Sequence, residues 1–247
     1  MIDTHTHILP GLDDGATDFK ESLAMAEIAV ADGISHMFAT PHHHGYTILS
    51  NEAVGERVAQ LQQKLDEANI PLTLLPGHEI RMHDDMLQDW DNGTARPLGD
   101  SRYVLAEPLF RKYTYLTDEM YDTFFEQGYI PIMAHPERIR PLQEDLSLIE
   151  PFLAHGGLTQ VTAGSLTGEY GQRAYDVALE MLRRGMVHVL ASDAHHSHRR
   201  MPVLSKGRDV AATVVGLEQA NAMVTQTPWA VVNDLPLVVT PPPPVYV

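Results

Sequence analysis

The sequence predicts an α/β fold built on parallel strands, and three observations carry that expectation. Short apolar runs alternate with amphipathic helical stretches along all 247 residues. No shift of composition marks a second domain. Polar, chemistry-bearing residues recur at the C-terminal ends of the strands, the edge where barrels and open α/β sheets build their sites.

The elements follow in order. MIDTHTHI is the first strand. Asp18 then stands as an N-cap with Glu21 three residues on, and 19–32 has helical spacing before Gly33. ISHMFAT (34–40) is the second strand. Val54, Val58, Leu61 and Leu65 recur at helical intervals within 51–70. LTLLPGHEI (72–80) is a strand running into a turn, and 82–101 is polar, expected as a short helix and a loop. RYVLAEP (102–108) is the fourth strand, with a helix over 116–128. YIPIMAHP (129–136) is the fifth, with a helix near 143–155. LTQVTAG (158–164) is the sixth, followed by a strong helix over 171–185. VHVLASD (187–193) is the seventh, and the chain to about Asn233 reads as helices. The expected organisation is one domain over 1–235 and an extended, polyproline-like tail over 236–247, PLVVTPPPPVYV.

Composition narrows the function. A net charge of -16 argues against a nucleic-acid backbone as partner, which calls for a basic face. No apolar run reaches the roughly 18 residues of a membrane span, and the N-terminus lacks a secretory pattern, so a cytoplasmic location is expected. The absence of Cys excludes disulfides, thiolate metal sites and a cysteine nucleophile.

The chemistry collects at the strand ends. The first offers His5 and His7, which period 2 puts on one face. The second ends in Thr40-Pro41-His42-His43-His44, and the third in Gly77-His78-Glu79-Ile80-Arg81. The fourth ends in Glu107, the fifth in His135-Pro136-Glu137-Arg138, and the seventh in Ser192-Asp193-Ala194-His195. Left alone, so many carboxylates would crowd like charges. A cluster of divalent cations resolves that, and imidazole with carboxylate suits Zn, Mn or Fe.

Taken together, His5-Thr6-His7, Ala39-Thr40-Pro41-His42, Ala134-His135-Pro136-Glu137-Arg138 and Ser192-Asp193-Ala194-His195 resemble the PHP (polymerase and histidinol phosphatase) family. A closer resemblance runs through His7-Ile8-Leu9-Pro10-Gly11-Leu12-Asp13-Asp14-Gly15, Glu79-Ile80-Arg81 and the stretch Gln160 to Gly171. These are similar to the bacterial manganese-dependent protein-tyrosine phosphatases of capsule and exopolysaccharide operons. The resemblance implies a single distorted (β/α)7 barrel with the metal site at the C-terminal strand ends. It implies three divalent ions, with Mn first and Fe, Zn, Co or Mg also able to fit. One would be held by His5, His7, Glu79 and Asp193. A second would be held by Glu107 and His135 with Glu79 bridging, and a third by Asp14, His42 and His195. Asp13 rivals Asp14.

The same resemblance gives Arg138 and Arg200 as substrate-binding arginines, with Arg199 the rival, and His42 as a candidate general acid. The implied substrate is the phosphotyrosine tail of a cognate tyrosine kinase that controls polysaccharide synthesis and export, attacked by a metal-activated hydroxide. The alternative is a PHP phosphatase for a small monoester such as histidinol phosphate; a phosphodiesterase and a metal-loaded binding protein stand behind it. Oligomeric state is open. His43, His44, His78, His196 and His198 are expected beside the ligands or at the surface, and His83 at the surface. Arg81 is expected to pair with a ligand carboxylate, and Thr162 and Ser165 to stabilise the turn after the sixth strand.

Overall fold

The computed structural model describes residues 1–43, 50–83, 86–109 and 115–237. Among these, eight strands form two parallel sheets. The first holds β1 (Ile2–Thr6), β2 (His36–Ala39) and β3 (Thr73–Pro76). The second holds β4 (Glu79–Arg81), β5 (Tyr103–Glu107), β6 (Ile130–Ala134), β7 (Leu158–Thr162) and β8 (Val189–Ala191). Strands neighbour one another in chain order, which parallel pairing allows only through crossovers. The crossovers carry α1 (Phe19–Ala31), α2 (Asn51–Glu67), α3 (Met86–Asp91), α4 (Tyr115–Glu126), α5 (Arg140–Glu144), α6 (Glu150–Ala154) and α7 (Gln172–Arg183). After β8 come α8 (Ser205–Val215), α9 (Leu217–Ala222) and α10 (Gln226–Val232).

The helix signals act as their chemistry requires. Asp18 Oδ1 accepts from the Glu21 N–H at 2.9 Å, capping α1. Val54, Val58, Leu61 and Leu65 form the buried stripe of α2. The helix expected near 143–155 is instead broken. Asp145 leaves the helical region at φ -149° and caps a 3-10 turn, Leu146–Ile149, by accepting from the Ser147 N–H. The tail expected over 236–247 lies outside the described residues from 238 onward.

The run expected as one third strand is two. β3 pairs with β2, then the chain shifts at Gly77-His78 and β4 pairs with β5. Gly77 is needed there, because a Cβ would sit 2.9 Å from the Leu98 side chain and 3.2 Å from Thr40. Two isolated parallel bridges stand at the sheet margins, Thr6 with Ala194 and His42 with Glu79.

Alternation sorts each strand. In β5, Val104 and Ala106 join the main helix-facing core, while Tyr103 and Leu105 join a second buried cluster with Phe38, Ile132, Ala134 and Leu158. Glu107 follows on the same side as Tyr103 and Leu105. Burying each large apolar side chain contributes about 1.5–3 kcal/mol, enough to fix the register. A one-residue slip would turn Glu107 away from its partners.

Candidate metal centre

Five imidazoles and four carboxylates meet at the strand ends. His5 Nε2 lies 3.3 Å from Glu79 Oε1 and 3.4 Å from Asp193 Oδ1, and His7 Nε2 lies 3.4 and 3.6 Å from the same two carboxylates. His135 Nε2 is 2.9 Å from Glu79 Oε1 and 3.7 Å from Glu107 Oε1. Asp14 Oδ1 stands 3.4 Å from the Nε2 atoms of both His42 and His195. His42 Nδ1 turns to Glu79 Oε2 at 2.8 Å. Every sequence-expected ligand is therefore in one contiguous cluster. All are buried except Asp14, 47% exposed, and His42, at 10%.

Local structure explains the placement. His5 lies in β1 and His7 just past it, on one face, with their Nε2 atoms 3.2 Å apart. Gly15 lets the following loop fold back, since a Cβ there would collide with the His7 carbonyl and Cβ. His135, Asp193 and Arg200 all take left-handed backbone, at φ 34°, 52° and 45°. Such conformations cost on the order of 1 kcal/mol or more each and gather where a site over-determines its backbone.

Asp13 and Asp14 part company. Asp13 Oδ2 accepts from His7 Nδ1 at 2.7 Å and from the His42 N–H at 3.0 Å, and its Oδ1 accepts from the Gly15 N–H at 3.0 Å. It holds His7 with Nε2 facing inward while Asp14 enters the cluster. Gln160 Oε1 does the same for His5 Nδ1 at 2.8 Å. Arg81 Nε donates to Glu107 Oε2 at 2.9 Å, as expected. Glu137 is buried and accepts from Ser165 Oγ at 2.7 Å and from the Thr162 backbone N–H at 3.1 Å, so Ser165 ties the turn through its side chain and Thr162 through its backbone.

Arg138 Nη1 and Arg200 Nη2 converge on Asp193 Oδ2, at 2.5 and 2.7 Å. Tyr170 lies against both: its ring centroid is 4.4 Å from the Arg138 guanidinium, and its hydroxyl accepts from Arg200 Nε at 3.0 Å. Arg199 instead points to His196 at the surface. Sequence reasoning gave no role to Gln160, Tyr170 or Glu137. The sequence signal for Gln160 is weak, because its strand, LTQVT, also carries Thr159 and Thr162.

The titration pattern displays the demand for positive charge. Burial opposes a proton on His7, yet Asp13 raises it well above the usual range; burial opposes one on His42, yet Glu79 and Asp14 raise it to about 9. Burial would raise Glu79, but His5 and His42 hold it well below the carboxylate range. Burial and Arg138 push His135 down to about 4, and burial and His7 push His195 to about 4. Glu107 is raised by burial and by Glu79. The carboxylates thus raise the pKa of His5, His7 and His42 where cation charge would act. Glu79 Oε2 and His195 Nε2 are buried without a hydrogen bond of good geometry. A donor set of imidazole and carboxylate with such atoms facing inward fits divalent cations.

Of the other histidines, His43 and His78 are buried and His198 is exposed. His83 is only 16% exposed, not the surface residue expected, because its ring packs beside His43 and Asp89. His44 lies outside the described residues.

The fold and cluster define a parallel α/β protein with a buried group of candidate metal ligands at its strand ends. Residues 1–233 match the family model described as capsular polysaccharide synthesis, CpsB/CapC, and the chain belongs to that family. It is 39% identical over 202 residues to tyrosine-protein phosphatase YwqE of Bacillus subtilis, covering 81% of this chain and 79% of that one. Tyrosine-protein phosphatase CpsB of Streptococcus pneumoniae is 27% identical over 241 residues, 95% and 99% of the two chains. A solved structure from the work on YwqE and CpsB, described as unique metal-dependent tyrosine phosphatases, superposes with a TM-score of 0.94 at 34% identity over all of both chains.

Proposed function

We propose that this chain is a metal-dependent protein-tyrosine phosphatase acting on the phosphotyrosine tail of a cognate tyrosine kinase in polysaccharide synthesis and export. The observation that carries the reading is the cluster itself, with two arginine forks converging beside it on Asp193. With the zero Cys count, a cysteinyl-phosphate route is excluded.

The proposed ligand sets are His5, His7, Glu79 and Asp193; Glu107 and His135 with Glu79; and Asp14, His42 and His195. Three divalent ions, Mn foremost, are the proposed complement. Bound there, they would supply a water activated near neutral pH and positive charge against the phosphoryl oxygens. Arg138 and Arg200 clamp those oxygens bidentately, preset by Tyr170 and Asp193. Asp13 and Gln160 hold His7 and His5 by Nδ1, so both rings present Nε2. His42 serves first as a ligand. The tyrosyl oxygen leaves with a pKa of about 10, so proton donation by His42 is a minor demand.

On the same reading, residues 1–235 are one phosphatase domain with 236–247 as its tail, and the two sheets make one distorted barrel. The bridges Thr6–Ala194 and His42–Glu79 support the closure, as does the buried cluster shared by Phe38 of β2 and residues of β5, β6 and β7. Among the described residues no helix is long and apolar enough to cross a membrane, which accords with a cytoplasmic site of action.

The test is relative kcat/KM on a phosphotyrosine peptide and on histidinol phosphate, with added Mn²⁺ and with EDTA. Preference for the peptide, lost in EDTA and restored by Mn²⁺, is expected. Faster turnover of histidinol phosphate would overturn the substrate assignment, and activity unaffected by EDTA the metal centre.

A further inference from the structure

A second group of ligand-type side chains lies outside the catalytic cluster and shares no residue with it. His43 follows His42, yet its ring turns away from the cluster into the protein and is buried. His83 comes two residues after β4, and Asp89 sits on α3. His83 Nε2 is 3.3 Å from Asp89 Oδ2 and His43 Nε2 is 3.7 Å from the same oxygen. The two rings are nearly parallel, 14° apart in plane with centroids 6.2 Å apart. One donor atom from each residue falls within 4.8 Å of the other two.

The separations discriminate between two explanations. An N–H···O hydrogen bond spans about 2.7–3.2 Å, and both distances exceed that. Zinc–nitrogen and zinc–carboxylate bonds of about 2.0–2.2 Å in tetrahedral array put neighbouring donors about 3.3–3.6 Å apart. Of the observed pair, 3.3 Å falls within that spacing and 3.7 Å lies just beyond it. Three His–carboxylate pairs of the catalytic cluster fall in the same range, at 3.3, 3.4 and 3.6 Å.

We propose that His43, His83 and Asp89 form a second, independent divalent-cation site of the two-histidine, one-carboxylate kind, suited to zinc. The fourth position is left to water or to His78, whose ring lies 5.6 Å from that of His43. The ion ties α3 to the ends of β2 and β4. It sits one backbone hydrogen bond from a catalytic carboxylate, because the His43 N–H donates to the Glu79 carbonyl at 3.0 Å. Its role is to clamp the segment that flanks the centre.

The test compares the full-length protein with His83→Ala and with the isosteric Asp89→Asn. Each protein is stripped by chelator, re-equilibrated with zinc buffered at nanomolar free concentration, and measured for metal per chain by mass spectrometry. Cobalt(II) loading gives a second readout through its visible tetrahedral absorption. Each variant should hold one ion fewer than the parent and lose part of the cobalt band. Equal metal content in parent and Asp89→Asn would overturn the proposal, as would an ion that binds only at millimolar zinc. Neither readout uses phosphatase activity, so failure here is separable from failure of the tyrosine-phosphatase reading.

Discussion

Replacing Asp13 with Asn separates orientation from ligation. The carboxylate is buried, and burial alone would raise its pKa, but His7 and the N–H groups of Gly15 and His42 hold it at about 2. Set against an ordinary value of about 3.8, the net depression, after burial is offset, corresponds to about 2 kcal/mol. The folded pKa is depressed, so this stability is present above about pH 4 and is lost as pH falls through about 2. At neutral pH the metal-free variant should therefore melt about 4–8 °C lower. The His7 ring also loses the partner that fixes its tautomer, and removing such a support costs about 10–100-fold in metal affinity. The assay is competition with a chromophoric chelator, with metal counted per chain at saturation. Asp13→Asn should still fill completely at high metal, whereas Asp14→Asn should stay one ion short. The reverse result would refute the division of roles and make Asp13 the ligand.

Further outcomes follow from the same geometry. His135→Ala should abolish turnover of a phosphotyrosine peptide while far-UV circular dichroism stays native; full activity would remove His135 from the ligand set. Arg200→Ala should lower kcat with the metals retained by elemental analysis, while Arg199→Ala should be near wild type, since Arg199 turns to His196 and not to Asp193. In metal-free protein His42 is raised to about 9, so its contribution is complete below about pH 6.5 and is lost as pH rises through about 9. Denaturant melts of the stripped chain should show stability falling between pH 7 and 9, while Mn²⁺ affinity rises over the same range as protons leave the ligands. Flat profiles would contradict the charge accounting of the cluster.

Much of the centre was legible in the sequence because ligand chemistry is a property of residue type and of period. His5 and His7 share a face by alternation, and Glu107 reaches the site on the same side as Tyr103 and Leu105. Other features were not legible. The break at Gly77 depends on how closely Leu98 and Thr40 approach from distant parts of the chain. The interruption after Glu144 depends on Asp145 finding a better bond as a cap. His83 looked like a surface residue because nothing local signals that α3 brings Asp89 against it.

The sequence by itself determined the strand–helix rhythm, the hard nitrogen and oxygen donors, and the exclusion of thiolate chemistry, since these depend on composition and local spacing. Tertiary structure alone separates neighbours of equal chemistry: Asp14 faces His42 and His195 while Asp13 turns to His7 Nδ1, and Arg200 rather than Arg199 meets Asp193. Adjacent residues with the same functional group differ only in direction. Direction is set by backbone torsion and by packing between segments far apart in the chain, as where the Ser192 N–H donates to Asp3 Oδ1, 189 residues away.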